Sequence, residues 1–260
     1  MNMLAKIGRM LATYLEKPSA SYPQPATCKP ELVAAAMRAG DVLLVDGASR
    51  ISTAIKYLTQ STWSHAALCI VDDNHASEPD CNKVMLLEAD VLEGVRIVSL
   101  ECYSQRHTRI CRPVGLTEGE IAQAIEFAKA KVGHQYDTKN VFDLLRYLIQ
   151  TPPVPTRWRR KMISLGSGDP TRAICSSLIA QTFQSIQYPI LPDVFLQIAK
   201  NRHSQYYYAE VLHIRHHTLY VPRDFDISPY FSIIKPTLNG QFDPHKLAWS
   251  DYQGPGYQAV

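Results

Sequence analysis

Apolar positions along the chain change spacing twice. Leu4, Ile7, Leu11, Tyr14 and Leu15 recur every three or four residues with Lys6, Arg9 and Lys17 between them, which predicts a short cationic amphipathic helix. Residues 18–30, with Pro23 and Pro25, read as a turn-rich linker, and 31–38 as a second short helix closed by Gly40. From Asp41 the apolar runs shorten. Residues 41–45 form one run before a turn at Gly47, 64–71 form another, and 84–87, 94–100 and 108–112 follow at the spacing of an antiparallel meander. A helix over 51–58 interrupts the runs, with Ile51, Ala54, Ile55 and Leu58 on one face, and 72–82 is a polar loop.

Helical spacing then returns. Thr117 and Glu120 stand at capping-box distance and open a helix through Ala130. A further helix over 140–149 is halted by Pro152, Pro153 and Pro155, and 176–186 is apolar at 178, 179, 183 and 186, as a buried helix would be. Residues 206–214 and 217–221 read as late strands or extended segments, and 242–260 as a tail. The pattern is α+β, one antiparallel sheet with helices packed against it. It divides into an N-terminal helix and linker (1–38), a main domain (39–235) and a C-terminal tail (236–260).

Composition narrows the function classes. With 260 residues, 46% hydrophobic and 20% charged, the chain can bury a sizeable core. A net charge of +3 is too small for a dedicated nucleic-acid binder, so no nucleic acid is expected as partner. The six cysteines form no CxxC pair, which removes zinc spacing and a dense disulfide framework. The first twenty residues lack the long apolar stretch of a secretory signal, and a cytoplasmic, thiol-reducing location is the expectation. The cationic first helix and the run Arg157-Trp-Arg-Arg-Lys161 would suit a peripheral position on an anionic membrane, at about 1 kcal/mol per basic residue; both also fit a solvated face.

Candidate chemistry rests on three residues far apart in sequence. Cys175 stands between a Gly/Ser/Asp/Pro loop and the buried helix, where helix N–H groups and Arg172 would favour a thiolate. A start at Asp169-Pro170 would instead leave it inside the helix as an ordinary buried thiol. A nucleophilic cysteine needs a base, and His65, at the mouth of an apolar strand, is the best placed of nine histidines. Glu88 lies in the apolar run Met85-Leu-Leu-Glu-Ala89, where a charge needs a partner; a strand carrying His65 beside it would supply one. Each residue also fits a structural role alone. No GxSxG elbow exists, and His213, His216 and His217 have neither helix nor carboxylate to make a metal site.

Read in order, Gly40-Asp-Val-Leu-Leu-Val45, the stretch 51–65 ending Thr62-Trp-Ser-His65, Leu87-Glu-Ala-Asp90 with Glu93-Gly-Val-Arg96, and Ile174-Cys-Ser-Ser-Leu-Ile179 resemble the YiiX/YebB-like branch of the permuted papain-like, NlpC-type cysteine hydrolases. The resemblance runs roughly from Gly40 to Pro192, and residues 221–230 also look like a segment of closer relatives. It implies a circularly permuted papain-like fold in which the histidine precedes the cysteine. Carried over by position, it implies Cys175 as nucleophile, His65 as general base and Glu88 as the group that orients it, with a helix start near Cys175. Gly133-His-Gln-Tyr-Asp137 matches the family's G-x-x-YD element, which implies that Tyr136 and Asp137 line the cleft; Tyr57 and Trp63, in the stretch before His65, are expected to bind substrate with them. The implied reaction is acyl transfer through a thioester on an amide- or acyl-containing peptide or lipid, needing no metal or organic cofactor. The rivals are a papain-like binding module without turnover, a lipid acyl hydrolase at a membrane, and a redox switch, which would want a resolving cysteine close to Cys175.

Overall fold

The computed structural model describes residues 17, 26–72, 79–90, 93–134, 174–200, 206–213, 215–239 and 245. The elements are α1 (Pro30–Ala36), β1 (Val42–Val45), α2 (Arg50–Thr59), β2 (His65–Val71), β3 (Met85–Asp90), β4 (Gly94–Ser99), β5 (Thr108–Pro113), α3 (Glu118–Lys129), α4 (Ile174–Ser185), β6 (Asp193–Lys200), β7 (Tyr206–His213), α5 (Pro222–Asp226), β8 (Phe231–Ile234) and α6 (Pro236–Asn239). Six strands form one antiparallel sheet in the order β4-β3-β2-β1-β5-β8, and β6 pairs with β7 in a separate ribbon.

Both faces of the central strands are covered, which is why β1 and β2 read as continuous apolar runs rather than as alternation. Val42, Leu44, Ala66, Leu68 and Leu87 face Ile125 and Ala128 of α3 and Leu178, Ile179 and Phe183 of α4. Leu43, Val45, Ala67, Cys69, Leu86 and Ile110 face Val33, Ala34 and Met37 around α1. The helix α4, which carries Cys175, is anchored by aromatic packing: Phe183 meets Phe231 of β8 edge-on at 5.2 Å, and Tyr188 meets Phe231 at 5.6 Å. Such pairs add about 0.5–1.5 kcal/mol beyond their buried area.

Helix ends follow the sequence signals. Thr117 Oγ1 accepts the Glu120 N–H at 3.3 Å while Glu120 Oε2 accepts the Thr117 N–H at 2.8 Å, completing the capping box that opens α3. Helix α1 stops at Ala36 rather than running to 38, because Met37 is already extended (φ −65°, ψ 142°). Gly40 turns the chain into β1 at φ +88°, and a Cβ there would press on Ile121 of α3 at 3.0 Å.

The late chain departs from expectation in three places. Residues 217–219 form a 3₁₀ turn, not a strand. Strands β6 and β8 are additional to the expected ones. Within the segment 221–230, Pro222 opens α5 and the Asp224 carboxylate accepts the Val221 N–H at 3.0 Å. The expected helices over 4–15 and 140–149, the basic run 157–161 and the loop 166–170 lie outside the described residues, as does nearly all of the tail. Among the described residues no helix is long and apolar enough to cross a membrane.

Candidate active site

The end of the sheet that carries His65 is fixed by local hydrogen bonds. Ser64 donates its N–H to Val45 O at 3.1 Å, and its hydroxyl accepts the Gly47 N–H at 2.9 Å. A Cβ at Gly47 would collide with the hydroxyls of Ser52 and Ser64, so the close approach requires glycine. One residue earlier, Trp63 is 3% exposed; its indole N–H donates to Asp226 Oδ2 at 3.0 Å, and its ring stacks on His107 and lies under Arg109. Arg109 pairs with the other Asp226 oxygen at 2.6 Å, so segment 221–230 is tied to the start of β2. Trp63 is thus held by packing and by its indole hydrogen bond.

Strand register then sets the carboxylate beside the imidazole. Counting on from Leu68↔Leu87 places Glu88 beside Ala67, diagonal to His65 on the same face. His65 Nε2 lies 2.7 Å from Glu88 Oε2. Glu88 is 2% exposed and sits on an inner strand, with Arg96 of β4 directly opposite. Arg96 donates to Glu88 Oε1 from Nε at 2.9 Å, and the Tyr103 hydroxyl donates to Oε2. The acceptor capacity of the carboxylate is thus taken up by three side chains, which is what a buried charge demands.

Cys175 is the second residue of α4 and is buried. Its sulfur lies within electrostatic reach of the His65 ring and the Ala66 N–H, both of which favour the thiolate, and 4.0 Å from Ser176 Oγ. With Nε2 held by Glu88, Nδ1 is the ring nitrogen left for the thiol. Burial pushes the Cys175 thiol up, but the His65 charge and hydrogen bond, with the Ala66 N–H, bring it below the ordinary thiol value. Burial likewise opposes the His65 imidazolium, and is outweighed by Cys175 and then Glu88, which lift it to about 10. At Glu88 burial is outweighed by His65, Tyr103 and Arg96, which hold the carboxyl down at about 2. Cys69, Cys81 and Cys111 go the other way: burial pushes each of them up. The arrangement favours a thiolate at one cysteine, and the chemistry it can do is nucleophilic attack.

The structure thus brings Cys175, His65 and Glu88 together. Tyr57 is exposed on α2, and Tyr136 and Asp137 lie outside the described residues. Arg96 and Tyr103 were not singled out from sequence. Arg96 was legible in principle, since pairing Asp90 with Gly94 across the hairpin sets it opposite Glu88. Tyr103 has no comparable signal, because it reaches Glu88 from a 3₁₀ turn after β4.

In this chain a histidine and a carboxylate on the sheet precede a cysteine on a helix. Residues 36–147 match the family described as permuted papain-like amidase enzymes, YaeF/YiiX, C92 family, and over this stretch the resemblance read from sequence holds. The matched stretch contains His65 and Glu88 and ends before Cys175. Among solved structures the chain is similar to the crystal structure of the metalloprotein YiiX from Escherichia coli O157:H7, at 15% identity and a TM-score of 0.46, covering 77% of this chain and 97% of that one. No curated protein matches the chain. Among the described residues no three His, Cys, Asp or Glu side chains group to hold a metal ion.

Proposed function

We propose that the protein is a cysteine hydrolase that cleaves an amide bond through a thioester on Cys175, with His65 as general base and acid and Glu88 as its orienting group. The observation that carries this reading is that one imidazole contacts both the Glu88 carboxylate, at 2.7 Å, and the Cys175 thiol, on a chain whose 36–147 segment matches an amidase family. The Cys175 thiolate adds to the carbonyl carbon, and backbone N–H groups in the first turn of α4 receive the oxyanion, at about 3 kcal/mol per donor. The intermediate collapses by breaking the C–N bond as the His65 imidazolium gives its proton to the departing amine. Neutral His65 then takes a proton from water, whose oxygen attacks the thioester; the carboxylic acid leaves and the thiolate returns. An ester or other acyl carbonyl would pass through the same steps.

The test is to trap the thioester. Wild-type protein, Cys175→Ser and His65→Ala are incubated with a panel of N-acyl amides, short peptides and lipid esters, and intact mass is recorded. The reading expects an acyl adduct on wild type that hydroxylamine removes and that neither variant forms. Binding of a panel member to wild type without adduct or product would favour the binding module instead.

A further inference from the structure

Glu88 is held by more than its histidine. Its Oε2 receives both His65 Nε2 at 2.7 Å and the Tyr103 hydroxyl, while Oε1 receives Arg96 Nε and Nη2, each at 2.9 Å. The Tyr103 ring is itself tilted against the imidazole, with centroids 6.0 Å apart. Arg96 is in turn held from the far side by Asp90 Oδ2 at 3.6 Å and by Glu93. The donors come from β2, β4 and the 3₁₀ turn after it, so they fix the carboxylate along three directions.

We propose that Arg96 and Tyr103 are positioning residues: they hold the Glu88 carboxylate ionised and turned so that Oε2 stays on His65 Nε2, and through it they sustain the Cys175–His65 ion pair. This rests on the catalytic reading above. A carboxylate free to rotate about its last side-chain bond would meet the imidazole only part of the time. An imidazolium held by a misaligned carboxylate would sit less squarely against the thiolate and would lose its proton sooner as pH rises. The charged and titratable groups facing Glu88 are His65 from β2, Arg96 from β4, with Asp90 and Glu93 behind it, and Tyr103 from the turn; Cys175 of α4 faces it across His65.

The experiment titrates the ultraviolet absorbance of the Cys175 thiolate, as the difference between each protein and its Cys175→Ser counterpart, in wild type, Arg96→Gln, Arg96→Lys, Tyr103→Phe and Lys129→Gln. An adjacent opposite charge is worth about 1–3 pH units to a carboxyl. Arg96→Gln is therefore expected to move the low-pH limb of the thiolate upward by about one unit, Tyr103→Phe by less. Arg96→Lys, which restores one charged donor, falls between Arg96→Gln and wild type. Lys129→Gln, the same charge change at an exposed pair on α3, leaves the limb in place. If Arg96→Gln fails to fold, Arg96→Lys and Tyr103→Phe carry the test. Variants that fold and titrate as wild type overturn the proposal while leaving the catalytic reading intact. A wild-type Cys175 that titrates as an ordinary thiol overturns the catalytic reading itself.

Discussion

The same sheet buries two carboxylates, each against an arginine, and they are used differently. Asp41, 1% exposed at the entry to β1, receives Arg112 Nε at 2.8 Å, Arg112 Nη2 at 2.7 Å and the Arg38 N–H at 2.8 Å. Arg112 Nη2 also reaches Ala36 O at 2.6 Å, so the pair staples α1 to β1 and β5. All of its donors are fixed charges or backbone, and burial pushes the Asp41 carboxyl up against their pull. Glu88, 2% exposed, has an arginine too, but turns one oxygen to an imidazole that titrates and that touches a thiol. A buried carboxylate whose donors are permanent organises the fold; one that shares an oxygen with a titratable ring can govern a proton.

Four variants would break or sharpen that contrast. The largest effect is expected at His65→Ala, which should lower turnover by about 10²–10⁴-fold, the usual range for a general acid–base. Steady-state rates on whichever substrate gives the acyl adduct measure it.

Arg112→Ala should do the reverse. Breaking one partner from a buried pair costs about 3–5 kcal/mol, so urea unfolding should shift strongly. The pH dependence of Cys175 alkylation in the protein that remains folded should match wild type. A changed Cys175 profile would mean that the two carboxylates are coupled.

Glu88→Gln keeps the shape and removes the charge. The imidazolium, held up to about 10 in part by Glu88, should lose its proton earlier, and the high-pH limb of the ion pair should fall by about 1–3 units, as expected for a lost opposite charge. Its low-pH stability should change as well. A carboxyl held near 2 contributes stability that is complete above the ordinary carboxylate range and is lost as pH falls toward 2, so wild type should resist acid further down than the variant. Thermal melts between pH 2 and 5 measure this, on about the scale set by the two carboxyl values.

The smallest effect belongs to a site away from both carboxylates. Thr117→Ala removes the cap of α3 and should cost about 1 kcal/mol in denaturant unfolding, with no change at Cys175.

The sheet and the helices on it were legible because their signals are local. The capping box at Thr117 and Glu120, the apolar runs at β1 and β2 and the expensive placement of Glu88 in Met85–Asp90 each reflect a demand that the sequence must meet in place. Residues 217–219 misled because apolar and polar positions in three residues suit a turn as well as a strand, and Pro222 then starts a helix. The burial of Trp63 was hidden because its partners, Asp226 and Arg109, lie 163 and 46 positions away along the chain. Tyr103 shows the same limit at the site itself: its hydroxyl is placed by a turn whose direction no periodicity records.

The central claim is that one of six cysteines is a thiolate made by His65. The pH dependence of iodoacetamide alkylation, read at Cys175 by peptide mass spectrometry in wild type and His65→Ala, tests it most directly. The account predicts alkylation of Cys175 well below the ordinary thiol value of about 8.5, lost in His65→Ala, while Cys69, Cys81 and Cys111 stay inert over that range. Alkylation of Cys175 that sets in only above about 8.5 and is indifferent to His65 would contradict it.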